Sequence, residues 1–286
     1  MILAELDRVT KRFGAVTALA EASFRVAPAE VVALLGPNGA GKSTAINILL
    51  GLRRPDRGRA VLFGGDPRLP SSRRGLGMTP QETLFPQTLR PHELIDLVRA
   101  HYAASPCAAA TIARFGLGAL RTRQVGGLST GQRRLVGVAL AFAGAPRLVV
   151  LDEPTAGLDG DARRTVWQAV RHQVQDGGAV LLTTHHLDEA EALASRVVLV
   201  DRGVVVADSS VAELKRSAGR TRVSFRAHGA KPVAGSVRDG DFVRILTRDG
   251  GATVAALVRD GVALDDLEVR PATLEEAIAA IGGGGA

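Results

Sequence analysis

The chain has 286 residues, room for one large domain or two smaller ones, and its 46% hydrophobic content is ample for a packed core. Mean hydropathy is +0.12, yet the strongest apolar runs, at 31–35, 148–151 and 197–200, fall far short of the ~20 residues that span a bilayer, which excludes a transmembrane helix. The net charge of +7 points to an anionic partner, but the basic residues are scattered, densest at Arg53, Arg54, Arg57 and Arg59, and aromatics are only 3%, so no nucleic acid is expected. The first ten residues lack a basic region followed by an apolar stretch, so the chain is expected to stay in the cytosol. A single cysteine, Cys107, rules out an intramolecular disulfide framework and any multi-cysteine metal site.

Runs rich in Val, Leu and Ile recur at 31–35, 60–63, 148–151, 180–182, 197–200 and 204–207, with helix-like stretches between several of them. Continuous rather than alternating hydrophobicity marks strands buried on both faces, and the strand and helix alternation predicts a mainly parallel α/β core. After the first run, Ile46, Leu49 and Leu50 form one apolar helix face. Over 161–175, Val166, Val170 and Val174 stand at i, i+4 and i+8, a helix stripe that Gly177 and Gly178 terminate. Asp201-Arg202-Gly203 between the last two runs predicts a hairpin at the sheet edge. Beyond about Gly219 the pattern changes to half-exposed strands at 223–226 and 242–247 and short helices at 252–258 and 273–281. The expectation is therefore a first domain over 1–218 and a small α+β domain over 219–286, ending in a flexible glycine-rich segment at 282–285.

The run at 31–35 leads into Gly36-Pro37-Asn38-Gly39-Ala40-Gly41-Lys42-Ser43-Thr44, which fits G-x-x-x-x-G-K-[ST] in the strand–loop–helix setting that motif requires. Its backbone amides and the positive end of the following helix would cradle phosphates, Lys42 would bridge the β- and γ-phosphate oxygens, and the Ser43 hydroxyl would ligate Mg2+. The run at 148–151 ends in Asp152-Glu153, acids at the carboxyl end of a parallel strand, where ligands bind in such sheets. Asp152 suits the magnesium, and Glu153 suits the attacking water, whose proton a carboxylate beside the γ-phosphate would accept. These two motifs alone define a nucleoside triphosphatase of unspecified kind.

Between them lies Leu128-Ser129-Thr130-Gly131-Gln132, followed by a helix expected at 133–143, which resembles the L-S-G-G-Q signature of ATP-binding cassette (ABC) proteins. The resemblance covers roughly residues 1–215: Gln81 in Thr79-Pro80-Gln81 resembles the Q-loop glutamine, Gly157-Leu158-Asp159 the D-loop, His185 in Thr183-Thr184-His185 the switch histidine, and Phe13 the aromatic that stacks on adenine. On the residues alone His186 rivals His185; the family's order, with the histidine directly after the threonines, selects His185. Thr130 departs from the family, which usually has glycine there, and this bears on how closely the loop approaches phosphate, whereas Gly131 is retained.

The resemblance implies an α/β P-loop core of the ABC ATPase type with added antiparallel strands and a helical subdomain over about 82–145. It implies ATP and Mg2+ as ligands, with Gln81 joining Ser43 and Asp152 at the metal, and with Ser129, Thr130, Gly131, Gln132 and Asp159 serving ATP held by a second subunit. Ser129 also suits a helix N-cap, and both roles are compatible. One phosphate loop and one signature per chain imply a pair of chains, expected to be a homodimer, closing on two ATP molecules. With no membrane span, the resemblance implies separate permease subunits docking between Gln81 and Ser129, around Leu84, Phe85, Pro86 and a helix at 91–101, and a position on the cytoplasmic face of the membrane. The segments 183–203 and 272–277 look most like the exporter subgroup for drugs, lipids or polysaccharides. The alternative, a soluble ABC ATPase of translation or DNA repair, expects two cassettes per chain or a long coiled coil, and neither pattern occurs.

Overall fold

The structure, a computed structural model, describes residues 2–79, 85–102, 106–217, 221–226 and 236–282. The described chain divides into two compact units, residues 1–208 and 209–286.

The first unit begins with two long antiparallel strands, β1 (Ala4–Phe13) and β2 (Val16–Val26), turned at Gly14 with φ +56°. Along β2 buried residues alternate with exposed ones, Ala22, Phe24 and Val26 facing inward, the signature of a sheet with one wet face. After β3 (Val31–Leu35) and α1 (Lys42–Leu49), strand β4 (Arg57–Leu62) returns to the other side of β1, giving the order β2-β1-β4. The apolar run at 60–63 therefore belongs to an antiparallel sheet and not to the parallel core. Its strand is exposed over three of its six residues, and pairing with β1 rather than apolar run length decided its place.

The second sheet comprises β3, β5 (Leu76–Thr79), β6 (Leu148–Asp152), β7 (Ala179–Thr183), β8 (Arg196–Asp201) and β9 (Val204–Ser210), in the order β5-β6-β7-β3-β8-β9, and is parallel from β5 through β8. Strands β3 and β7 are buried along their whole length, as continuous apolar runs require. At the edge, β8 and β9 are joined through Arg202 and Gly203, both with positive φ (47° and 81°), the backbone of a two-residue hairpin turn. Helix α1 lies between the two sheets: Ile46, Ile48 and Leu49 share one core with Leu6, Leu19 and Phe24 on one side and Leu34, Val150 and Leu181 on the other. Each such side chain contributes about 1.5–3 kcal/mol by burial.

Within the segment expected to be helical stand α2 (Pro91–Arg99), α3 (Ala108–Arg114) and α4 (Thr130–Phe142); Cys107 precedes α3 and is exposed. Helix α5 (Gly160–Gln175) carries Val166 and Val170 fully buried and ends at Gly177, φ +84°. A short α6 (Leu187–Leu193) follows β7.

The second unit is a four-stranded antiparallel sheet, order β11-β12-β10-β13, made of β10 (Thr221–Arg226), β11 (Ser236–Asp239), β12 (Phe242–Thr247) and β13 (Asp265–Pro271). Its core joins Val223, Phe225, Val243 and Ile245 with Leu257 of α8 (Gly250–Arg259). Helix α7 (Val211–Ser217) packs against α9 (Leu274–Gly282), so the division lies at Asp208/Ser209 rather than at 218/219. The glycine-rich end beyond Gly282 lies outside the described residues.

Candidate active site

Strand β3 delivers the phosphate loop at its carboxyl end, and two glycines there are dictated by space. At Gly36, φ +151°, a Cβ would stand 2.1 Å from the Val200 carbonyl oxygen; at Gly41, φ +108°, it would stand 2.4 Å from that of Ala18. Gly41 is also the N-cap of α1, which has no side-chain cap, so the first-turn N–H groups are offered to the space in front of the helix. That space is a cavity of about 290 Å3, lined by Asn38, Gly39 and Gly41 through Thr44, by Ala18, and by Asp152 and Glu153. Lys42 Nζ donates to the carbonyl oxygens of Gly36 (2.7 Å) and Pro37 (2.9 Å). Partial burial lowers its pKa, and the nearby Glu153 and Asp152 oppose that shift.

The acids reach the cavity from across the sheet. Strand β7 separates β6 from β3 in the sheet order, and its last residue, Thr183, is paired in register with Asp152. The Thr183 hydroxyl donates to Asp152 Oδ1, and its oxygen accepts from the Glu153 N–H at 3.3 Å. Glu153 adopts φ +51°, a left-handed conformation unfavourable for a side chain with a Cβ. Its N–H also donates to the Thr183 carbonyl at 3.1 Å, and its Oε2 lies 2.7 Å from His185 Nδ1. The ring that reaches Glu153 is thus that of His185; the His186 ring lies beside it, tilted by 40° at 4.0 Å between centroids, and His186 holds the N-cap position of α6.

Among the described residues, Ser129 through Gln132, Asp159 and Phe13 do not line this cavity. Ser129 is the N-cap of α4: its Oγ accepts from the Gln132 N–H (3.2 Å) while Gln132 Oε1 accepts from the Ser129 N–H (3.0 Å), a capping box. Thr130 begins α4, and a Cβ on Gly131 would stand 2.9 Å from the Gly157 carbonyl oxygen, so that glycine is required by contact between the signature and the D-loop of the same chain. Asp159 caps α5, accepting from the Ala162 N–H at 2.8 Å. Phe13, 41% exposed at the end of β1, has the Arg53 guanidinium 5.1 Å and Lys11 Nζ 5.7 Å from its ring centroid. Gln81 and Leu84 lie outside the described residues. Two supporting roles escaped the sequence reading: that of Thr183, quoted there only as a neighbour of His185, and that of Arg134, an arginine on an apolar helix.

A family model described as ABC transporter matches residues 19–156. The daunorubicin resistance ATP-binding protein DrrA3 of Streptomyces coeruleorubidus is 34% identical over 294 residues, covering 95% of this chain and 93% of that protein. The Nod factor export ATP-binding protein I of Paraburkholderia xenovorans (strain LB400) is 35% identical over 218 residues, covering 73% of this chain and 71% of that protein. A solved ATP-binding subunit of an ABC transporter superposes with a TM-score of 0.71 at 29% identity, covering 76% of this chain and 93% of that one. The fold and the phosphate-loop site define a P-loop ATPase of the cassette type. The chain belongs to the ATP-binding proteins of ABC transporters.

Proposed function

We propose that this subunit hydrolyses ATP between two copies of itself and thereby drives a separate membrane permease that exports its cargo. The observation that carries the reading is the convergence of Lys42, Ser43, Asp152 and Glu153 on one cavity at the carboxyl ends of β3 and β6, with His185 on Glu153. Export is supported by the names of the relatives, one a drug-resistance and one an export ATP-binding protein.

The phosphate-loop amides and Lys42 bind the β- and γ-phosphates. The Ser43 hydroxyl and the Asp152 carboxylate are hard oxygen donors facing the same cavity, a set that fits Mg2+, with Gln81 added by resemblance. That ion would neutralise charge on the phosphate oxygens. Glu153 Oε2 accepts the proton of the attacking water, and with Glu153 ionised the hydrogen bond from His185 Nδ1–H fixes where that oxygen points. Phe13 stacks on the adenine, and Arg53 and Lys11 beside it add positive charge.

Ser129 through Gln132 open α4 at its positive end, and as they do not line this chain's own cavity, they and Asp159 serve the ATP of a second copy. Among the described residues no helix is long and apolar enough to cross a membrane, so transport requires a partner that is. Phe85 and Pro86 and the exposed Leu97 on α2 are the docking candidates, and the reading has the subunit bind its permease from the cytoplasmic side of the membrane.

The test is Glu153→Gln. With base catalysis removed, hydrolysis should fall by about 10²–10⁴-fold while ATP still binds, and light scattering should find an ATP-dependent dimer. A variant that stays monomeric with saturating ATP contradicts the interfacial site. Capture of the same variant from detergent-solubilised membranes should recover a polytopic membrane protein, and recovery of ribosomes or repair proteins instead would contradict the transport reading.

A further inference from the structure

One buried cation links two parts of the site that sequence treats as separate. Arg134, 6% exposed, lies on α4 one turn and a residue beyond the signature serine. Its Nη2 donates to the carbonyl oxygen of Asp152 at 2.6 Å and to that of Glu153. Glu153 is the residue held at φ +51°, and its peptide is gripped on the other side by Thr183, through the carbonyl and the hydroxyl. A left-handed non-glycine residue persists only where its surroundings over-determine it, and here the hydrogen bonds come from two directions, α4 and β7.

We propose that Arg134 is a positioning residue for hydrolysis: it fixes the Asp152–Glu153 peptides to the signature helix, so that the Glu153 carboxylate is aimed only when α4 is correctly seated. This rests on the reading that Glu153 is the base and that Ser129 serves the ATP of the second copy. Under that reading one chain gives its signature to one ATP and its acids to the other, and Arg134 bonds the signature helix directly to the acids. Engagement of α4 at one site then bears on Glu153 at the other, a source of cooperativity between the two ATP molecules.

A single nitrogen serves both carbonyls, so a lysine ammonium at this position keeps a point donor, whereas glutamine keeps only a neutral, shorter one. The experiment compares Arg134→Gln and Arg134→Lys in the full chain, measuring kcat, KM, the Hill coefficient for ATP, ATP affinity of the isolated chain and melting temperature. Arg134→Gln should lower kcat about tenfold or more with ATP affinity within about twofold, Arg134→Lys should recover a substantial part of it, and the Hill coefficient should fall toward one in Arg134→Gln. An unchanged kcat in Arg134→Gln would overturn the proposal, as would ATP affinity and melting temperature falling together with kcat in both variants. Failure of the underlying reading is separable: Glu153→Gln would then remain active, or monomeric with ATP, whatever Arg134 does.

Discussion

Replacing Gly131 by alanine tests why the signature keeps its second glycine although Thr130 replaces the first. The added Cβ would stand 2.9 Å from the Gly157 carbonyl oxygen, closer than real Cβ atoms come, and 3.9 Å from Leu158 Cδ2, an ordinary contact. The obstruction is backbone, so relief requires α4 or the loop before α5 to move. Overpacking of this kind costs about 1–3 kcal/mol. Alanine offsets up to about 1 kcal/mol of that through its better helix propensity, since Gly131 lies in the first turn of α4. With that offset in full the net loss is up to about 2 kcal/mol, which lowers the melting temperature by up to about 8 °C in a unit of this size. Circular dichroism on the nucleotide-free chain should register it, because both partners of the clash belong to one chain. Melting that is raised, as helix propensity alone would give, refutes the intrachain explanation and leaves the nucleotide as the reason for the glycine.

Further outcomes follow from the same geometry. Lys42→Ala removes the charged phosphate contact, worth about 1.5–3 kcal/mol, so ATP affinity measured by calorimetry should fall about 10–150-fold; a change below twofold would show that the loop amides suffice. Glu189, 1% exposed, accepts from the Trp167 indole N–H at 3.2 Å, and burial raises its pKa above 4.5 against the opposing Thr184 and Thr155 hydroxyls. The unfolded carboxyl loses its proton first, so stability relative to Glu189→Gln should fall as pH rises above about 4.5 and level off once the folded group has ionised; a difference that does not vary with pH in urea titrations would refute this. Phe85→Asp should abolish transport into vesicles while leaving ATP binding unchanged, and a fully active mutant would remove this segment from the docking surface.

Much of this chain was legible before folding because the phosphate loop and the strand-end acids are local in sequence. Motif spacing put Gly36 through Thr44 and Asp152-Glu153 at strand ends, and burial made β3, β6 and β7 read as continuous apolar runs. The hairpin at β8 and β9 was signalled by Gly203, although Arg202 supplies the other left-handed residue. Less visible were β1 and β2, whose half-exposed faces dilute the apolar signal, and β5, only four residues long. Residues 60–63 misled because composition registers burial but not partner: the strand pairs with β1, whose register to it no local pattern encodes.

What the sequence determined by itself is the family, and with it the proposed chemistry: which residues would offer phosphate-binding amides, the cation, the acids and the histidine. What only the tertiary structure decided is who holds those groups in place. Thr183 meets Asp152 because β7 runs between β6 and β3, Arg134 meets the acids because α4 crosses the same strand end, and Gly131 meets Gly157 because α4 packs on α5. The physical reason is separation along the chain. A motif is encoded by neighbours whose spacing the backbone fixes, whereas these supports come from residues 18 to 31 positions away that only the strand order and helix packing bring within hydrogen-bond reach.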